Sequence, residues 1–176
     1  MEIVGKAFAA VAFPAYLETL RWEAWKPTGI TIHHCAAPSL AQRPKGFARA
    51  HMENLAYYYG ARLGWATGPH LFVDEDEIWV FTPLTVRGTH AHSFNRTDIG
   101  IEMLGNFDVE DPWSGRGLAV LETTAAAVVA LQRRLPEIGV VRFHRDDPRT
   151  DKTCPGTRLE KERFLRLVEV IRRHTT

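Results

Sequence analysis

Two histidines closing one β-rich run, His33 and His34, a third closing another, His144, and a cysteine ten positions later, Cys154, are the groups of this chain best suited to chemistry. Imidazole and thiolate are good zinc donors, and a catalytic zinc keeps three protein ligands with a fourth position open to water. Spacing alone does not settle the set, because a histidine and a cysteine ten apart are commonly unrelated. Adjacent residues of a strand face opposite sides, so only one of His33 and His34 can join such a site.

Glu102 is a further candidate. It sits in Ile99-Gly100-Ile101-Glu102-Met103-Leu104, where a carboxylate among apolar neighbours is costly unless it is paired or functional. Burial would raise its pKa and suit it to moving a proton, while a nearby cation would lower it. The bland role is an ion pair with an arginine. Lys152, two residues before Cys154, could stabilise an oxyanion if its loop reaches the site, and is otherwise a solvated loop lysine. Cys35 follows the histidine pair, but the bases that would activate it are the same histidines, which disfavours cysteine nucleophile chemistry.

These residues need strands and loops to present them. Residues 30–33, 70–73, 78–81, 99–104 and 140–143 read as strands, the second and third joined by the acidic turn Asp74-Glu75-Asp76-Glu77 as a hairpin. Helices are expected over about 46–63 and 118–134, the second stopped by Pro136. A last helix should open at Thr157-x-x-Glu160, which has the form of a capping box. Residues 84–98 read as a polar loop holding His90, His92, Asn95 and Asp98. Strands alternating with helices, one hairpin among them, predict an α/β fold with a central mixed β-sheet flanked by helices. Residues 1–28 are expected as an N-terminal helical extension broken by Pro14, leaving 29–176 as the chemical domain.

With 176 residues the chain suits one domain that needs no metal merely to fold, so a metal would serve chemistry. Lys and Arg number 22 against 21 Asp and Glu, a balance that gives no electrostatic footprint for nucleic acid. No run approaches the ~20 apolar residues of a membrane span. Glu2 stands where a signal peptide wants positive charge, so none is expected and synthesis is expected in the cytoplasm. In that compartment Cys35 and Cys154 are expected as thiols or a metal thiolate rather than a disulfide.

Four segments, in order, carry a resemblance. Ile32-His33-His34-Cys35-Ala36-Ala37-Pro38 resembles the first metal segment of the zinc N-acetylmuramoyl-L-alanine amidases, the family of the amidase-type phage lysozymes and the peptidoglycan recognition proteins. Gly88-Thr89-His90-Ala91 with Asn95, and Ile99-Gly100-Ile101-Glu102, resemble its central signature. Phe143-His144-Arg145-Asp146 followed by Lys152-Thr153-Cys154-Pro155-Gly156 resembles its second metal segment. The resemblance spans roughly residues 30–157 and leaves out the first 28.

It implies a mixed sheet with helices on both faces, Zn²⁺ held by His33, His144 and Cys154, and a peptidoglycan or muropeptide substrate. It favours His33 over His34, since the family places its ligand first where two histidines adjoin. One branch of the family uses a Glu at the place of Glu102 as the base, and others a Tyr that would fall near Pro69, so this chain resembles the Glu branch. Lys152 matches the lysine of phage members, and His90 and Asn95 match positions lining the substrate groove. The reaction implied is hydrolysis of the amide between N-acetylmuramic acid and L-alanine, in a monomer. The ending Lys152-x-Cys154-Pro155 points to an endolysin, the alternatives being a recycling amidase and a peptidoglycan-binding module that does not cut.

Overall fold

The computed structural model describes residues 1–23 and 25–175. Six strands form one sheet: β1 (Lys6–Phe8), β2 (Gly29–His34), β3 (Leu71–Val73), β4 (Ile78–Val80), β5 (Asp98–Met103) and β6 (Val140–Phe143), in the order β1-β4-β3-β5-β2-β6. β3, β5, β2 and β6 run parallel, and β4 and β1 pair antiparallel at the edge, so the sheet is mixed as expected.

Four helices accompany it: α1 (Phe13–Glu18), α2 (Arg49–Tyr57), α3 (Gly115–Arg134) and α4 (Lys161–His174). α3 lies against β3, β4 and β5, with α1 and α4 packed beside it. The interior strand β2 is buried along its whole length: Ile30 and Ile32 fall on one face and Thr31 and His33 on the other, so both faces are covered and the polar side chains of the second must find partners inside.

Where the elements depart from expectation, a competing interaction explains it. Residues 1–28 are not only helical: Lys6–Phe8 extends the sheet on β4, and Phe13 and Leu17 of α1 are fully buried in the same core as the sheet. Pro14 stands in the first turn of α1, where a missing amide proton costs nothing, so it starts a helix instead of breaking one. α2 ends at Tyr57 and passes into a π-turn over Tyr58–Arg62. Thr157 does not cap α4, which begins at Lys161, because its amide donates to Asp108 Oδ1 at 2.8 Å and holds it in the preceding loop.

The parallel strands are pinned at one end by Asp98, which is fully buried. Its carboxylate accepts from Thr31 Oγ1 of β2 at 2.8 Å, from the Arg142 guanidinium of β6 at 2.9 and 3.0 Å, and from Thr97 Oγ1 at 2.7 Å. A Cβ at Gly29 would lie 2.5 Å from that carboxylate, so the strand facing it must begin with glycine.

His70, just before β3, is fully buried and stacks on Trp25 with ring centroids 5.4 Å apart. The Gly100 amide donates to its Nδ1 at 3.0 Å and its Nε2 donates to the Val86 carbonyl at 2.9 Å, which uses both nitrogens in the neutral form. Burial, with the neighbouring His90 adding to it, holds its pKa down to about 3. From about pH 6 to 4 the unfolded chain therefore takes up a proton that the folded chain refuses, and stability falls with acid by up to about 1.4 kcal/mol per pH unit. Urea titrations across that range should show a shallower fall in His70→Asn than in the unaltered protein; equal slopes would acquit His70.

Candidate metal centre

Sheet register assembles the site before any side chain acts. In the parallel pairing of β2 with β5, His33 lies opposite Glu102, and Glu102 lies opposite Phe72 of β3. Paired residues of neighbouring strands share a face, so His33, Glu102 and Phe72 form one row across the sheet. On the other side of β2, Ile32 pairs with Phe143, which brings the end of β6, and so His144, level with His33.

Cys154 arrives by a loop that Arg145 clamps. The Arg145 guanidinium donates to the carbonyls of Thr153, Gly156 and Leu159 at 3.3, 2.8 and 2.7 Å, and the Arg145 amide donates to the Cys154 carbonyl at 2.8 Å. Asp108 holds the same loop from outside, accepting from Thr153 Oγ1 at 2.9 Å as well as from the Thr157 amide.

The donor atoms converge. His33 Nδ1 lies 3.0 Å from His144 Nδ1 and 3.7 Å from Cys154 Sγ. His33, His144 and Cys154 each bring one donor atom within 4.8 Å of the others, the group among the described residues close enough to share one ion. Burial keeps both imidazoles in the neutral form that a metal needs, His33 well below the ordinary range and His144 below it, with the Lys152 charge adding to the effect on each. Burial also drives the Cys154 thiol well up, with Glu102 adding to the rise, so its thiolate calls for a cation at the point where the two nitrogens meet. Two neutral imidazoles and one thiol are a zinc donor set with a place left open.

His34 faces elsewhere. Its Nδ1 accepts from the Phe107 amide at 3.1 Å and its Nε2 lies 3.8 Å from Asp108 Oδ2. It braces the loop that steadies Cys154, a structural role that strand alternation allows for whichever histidine turns from the site.

Glu102 places Oε1 3.8 Å from His33 Nδ1, with its side chain 15% exposed. Burial raises its carboxyl to about 8, against the pull of Lys152. Lys152 stands exposed on the rim of the cleft that all these groups line. That cleft encloses about 480 Å³, and its lining includes an aromatic pair, Tyr59 stacked on Trp65 at 5.1 Å between centroids. Pro69, at the place of the tyrosine of other branches, lines it too.

His90 also borders the cleft, but both its ring nitrogens are engaged within the protein, Nδ1 with His33 Nε2 at 3.1 Å and Nε2 with the Asp98 carbonyl at 3.0 Å. Burial holds it near pKa 4. Asn95 is turned inward instead of lining the cleft: its Oδ1 accepts from the amides of His90 and Ala91 at 2.7 and 2.9 Å and closes their turn. The resemblance had implied that both line the substrate groove. Arg145, Asp108, Tyr59 and Trp65 had no role from sequence; for Arg145 the available signal was its place directly after His144.

Residues 23–157 match the sequence profile of the N-acetylmuramoyl-L-alanine amidase family. No curated protein sequence matches the chain. Among solved structures, it is similar to the N-acetylmuramoyl-L-alanine amidase LysC from Clostridium intestinale URNW, with 20% identity, TM-score 0.65, and coverage of 82% of this chain and 87% of that one. It is similar to the Ph2119 endolysin from Thermus scotoductus MAT2119 bacteriophage Ph2119, with 22% identity, TM-score 0.63, and coverage of 84% and 88%. Drosophila PGRP-LB shares 20% identity at TM-score 0.63, over 80% of this chain and 82% of that one. These likenesses establish the fold, and the profile match, which takes in strands β2 to β6, the cleft and all three donor residues, establishes that the chain belongs to the N-acetylmuramoyl-L-alanine amidase family.

Proposed function

We propose that the protein is a zinc-dependent N-acetylmuramoyl-L-alanine amidase that hydrolyses the amide between the lactyl group of N-acetylmuramic acid and L-alanine of the stem peptide. The observation that carries the reading is the meeting of His33, His144 and Cys154 donor atoms beside the buried carboxyl of Glu102. His33, His144 and Cys154 would hold the zinc. When bound, zinc supplies a Lewis acid and lowers the pKa of water at its open position.

The chain's own residues do the rest. Glu102 takes the proton of the attacking water and returns it to the departing amine of L-alanine. A carboxyl raised by burial holds a proton well enough for the second task, and a cation beside it keeps it ionised for the first. Lys152, on the rim, faces the oxygen that gains charge as the carbonyl is attacked, and its ammonium stabilises that charge. The stacked pair of Tyr59 and Trp65 offers apolar faces to a sugar ring in the cleft that also holds the chemistry.

Cys154 supports an enzyme over a module that only binds, since binding alone needs neither a metal thiolate nor a proton shuttle. An endolysin role is favoured by the sequence Lys152-Thr153-Cys154-Pro155 and by the likeness to the Ph2119 endolysin, and the chain is read as acting alone on peptidoglycan or its fragments. No helix among the described residues is long and apolar enough to cross a membrane.

Incubated with purified peptidoglycan, the protein should release stem peptides that begin with L-alanine, as read by mass spectrometry. Release should stop with a chelator and in Cys154→Ser; new reducing sugar ends in place of free peptides would refute the reading. Glu102→Gln should keep its zinc, measured by atomic absorption, while kcat falls by roughly 10²–10⁴. Unchanged turnover would remove Glu102 from the chemistry. Trp65→Ala should raise KM for glycan-bearing substrate several-fold and leave kcat near its original value, whereas a fall in kcat alone would place Trp65 outside substrate binding.

A further inference from the structure

The ring of His90 lies flat on β5 at a point where only glycine leaves room. A Cβ at Gly100 would stand 2.4 Å from His90 Cγ. So seated, the ring is fixed at both ends. A backbone carbonyl only accepts, so the contact of His90 Nε2 with the Asp98 carbonyl at 3.0 Å puts a proton on Nε2. In the neutral ring Nδ1 is then bare, and it faces His33 Nε2 at 3.1 Å. That nitrogen must donate, so the proton of neutral His33 sits on Nε2 and its Nδ1 is bare, aimed at His144 Nδ1 and Cys154 Sγ.

We propose that His90 is a positioning residue: it fixes His33 in the tautomer and ring orientation whose free Nδ1 faces the metal site. The proposal rests on reading His33, His144 and Cys154 as metal ligands. The carbonyl that starts the chain belongs to the residue whose carboxylate ties β2, β5 and β6 together, so the direction of the His33 ring is set from the sheet itself. Asn95 contributes by holding the His90 and Ala91 amides. His70, in edge contact with His90 at 5.9 Å between centroids, cannot compete for its nitrogens, because its own are taken by Gly100 and Val86.

Long-range ¹H–¹⁵N NMR of the metal-free protein, labelled at histidine, reads the tautomer directly. His33 should carry its proton on Nε2, and a proton on Nδ1 would overturn the proposal. Zinc affinity, measured by competition with a chromophoric chelator, supplies the second readout. His90→Phe keeps the ring's shape but offers no acceptor, and should weaken zinc binding by about 10–100-fold. His90→Asn keeps an acceptor near the place of Nδ1 and should recover much of that loss. Zinc held by His90→Phe as tightly as by the unaltered protein would also overturn the proposal. Should His90→Phe fail to fold, the tautomer of the unaltered chain decides alone. A protein with the Nε2 proton on His33 that binds no zinc would refute the metal reading and leave the hydrogen-bonded arrangement standing, so the two failures are distinguishable.

Discussion

The buried carboxylate of Asp98 is the constraint on which the rest depends. A charge fully withdrawn from water is tolerated only when its lone pairs are met, and here the Thr31 hydroxyl of β2, the Arg142 guanidinium of β6 and the hydroxyl of the neighbouring Thr97 meet them. The same requirement fixes the register of β2 against β5 and β6, because a slip by one residue would carry Thr31 and Arg142 to the other face. Register in turn decides which side chains share a row. His33 stands beside Glu102, and His144 follows at the end of β6, because Asp98 stands opposite Gly29. The distance from anchor to site is a few residues of extended chain, so little play accumulates between them.

A second consequence concerns polarity. The cleft brings neutral imidazoles, a thiol and a carboxyl together under a shared burial that disfavours charge on each. Without a cation these groups stand in tension, since Glu102 adds to the cost of ionising both Cys154 and Cys35, and Cys154 adds to that of Cys35. A divalent cation relieves all of them at once. Lys152 does part of this from the rim, lowering the carboxyl of Glu102 and the histidines alike. The site is thus built to be completed by positive charge, and the open side of the cleft is where a carbonyl can approach it.

Much of this was legible in the sequence, for identifiable reasons. Strand ends that terminate in histidine, and a cysteine in a loop after the last strand, are local patterns, and the order of four segments made them a set. Between His33 and His34 the fold sets a difference in what each ring meets, two further donor atoms for His33 and the Phe107 amide for His34. What could not be read was non-local or atom-specific. β1 is three residues long and gains its pairing only from β4, some seventy positions away. Thr157 has the composition of a cap but is captured by Asp108, 49 positions earlier in the chain. His90 and Asn95 are the instructive pair, because the resemblance marks them as near the site while only geometry shows that their hydrogen bonds point inward.

That inward direction links the two ends of the structure. Gly100 serves both histidines: its missing side chain seats the His90 ring, and its amide, which any residue but proline would supply, donates to His70. Gly88 has a similar place, since a Cβ there would lie 2.5 Å from the His70 ring. Two glycines thus give up side chains so that two neutral histidines can meet edge-on inside the protein, at a point where an apolar residue would pack with less constraint. A core built for stability alone has no use for such an arrangement, because each imidazole brings two polar atoms that must be satisfied. The arrangement gains its meaning from direction: an apolar side chain fills space, whereas an imidazole with one nitrogen committed to a carbonyl dictates where its neighbour's proton must lie. The histidines behind the cleft therefore convert the fixed geometry of the backbone at Asp98 into a fixed lone pair at His33.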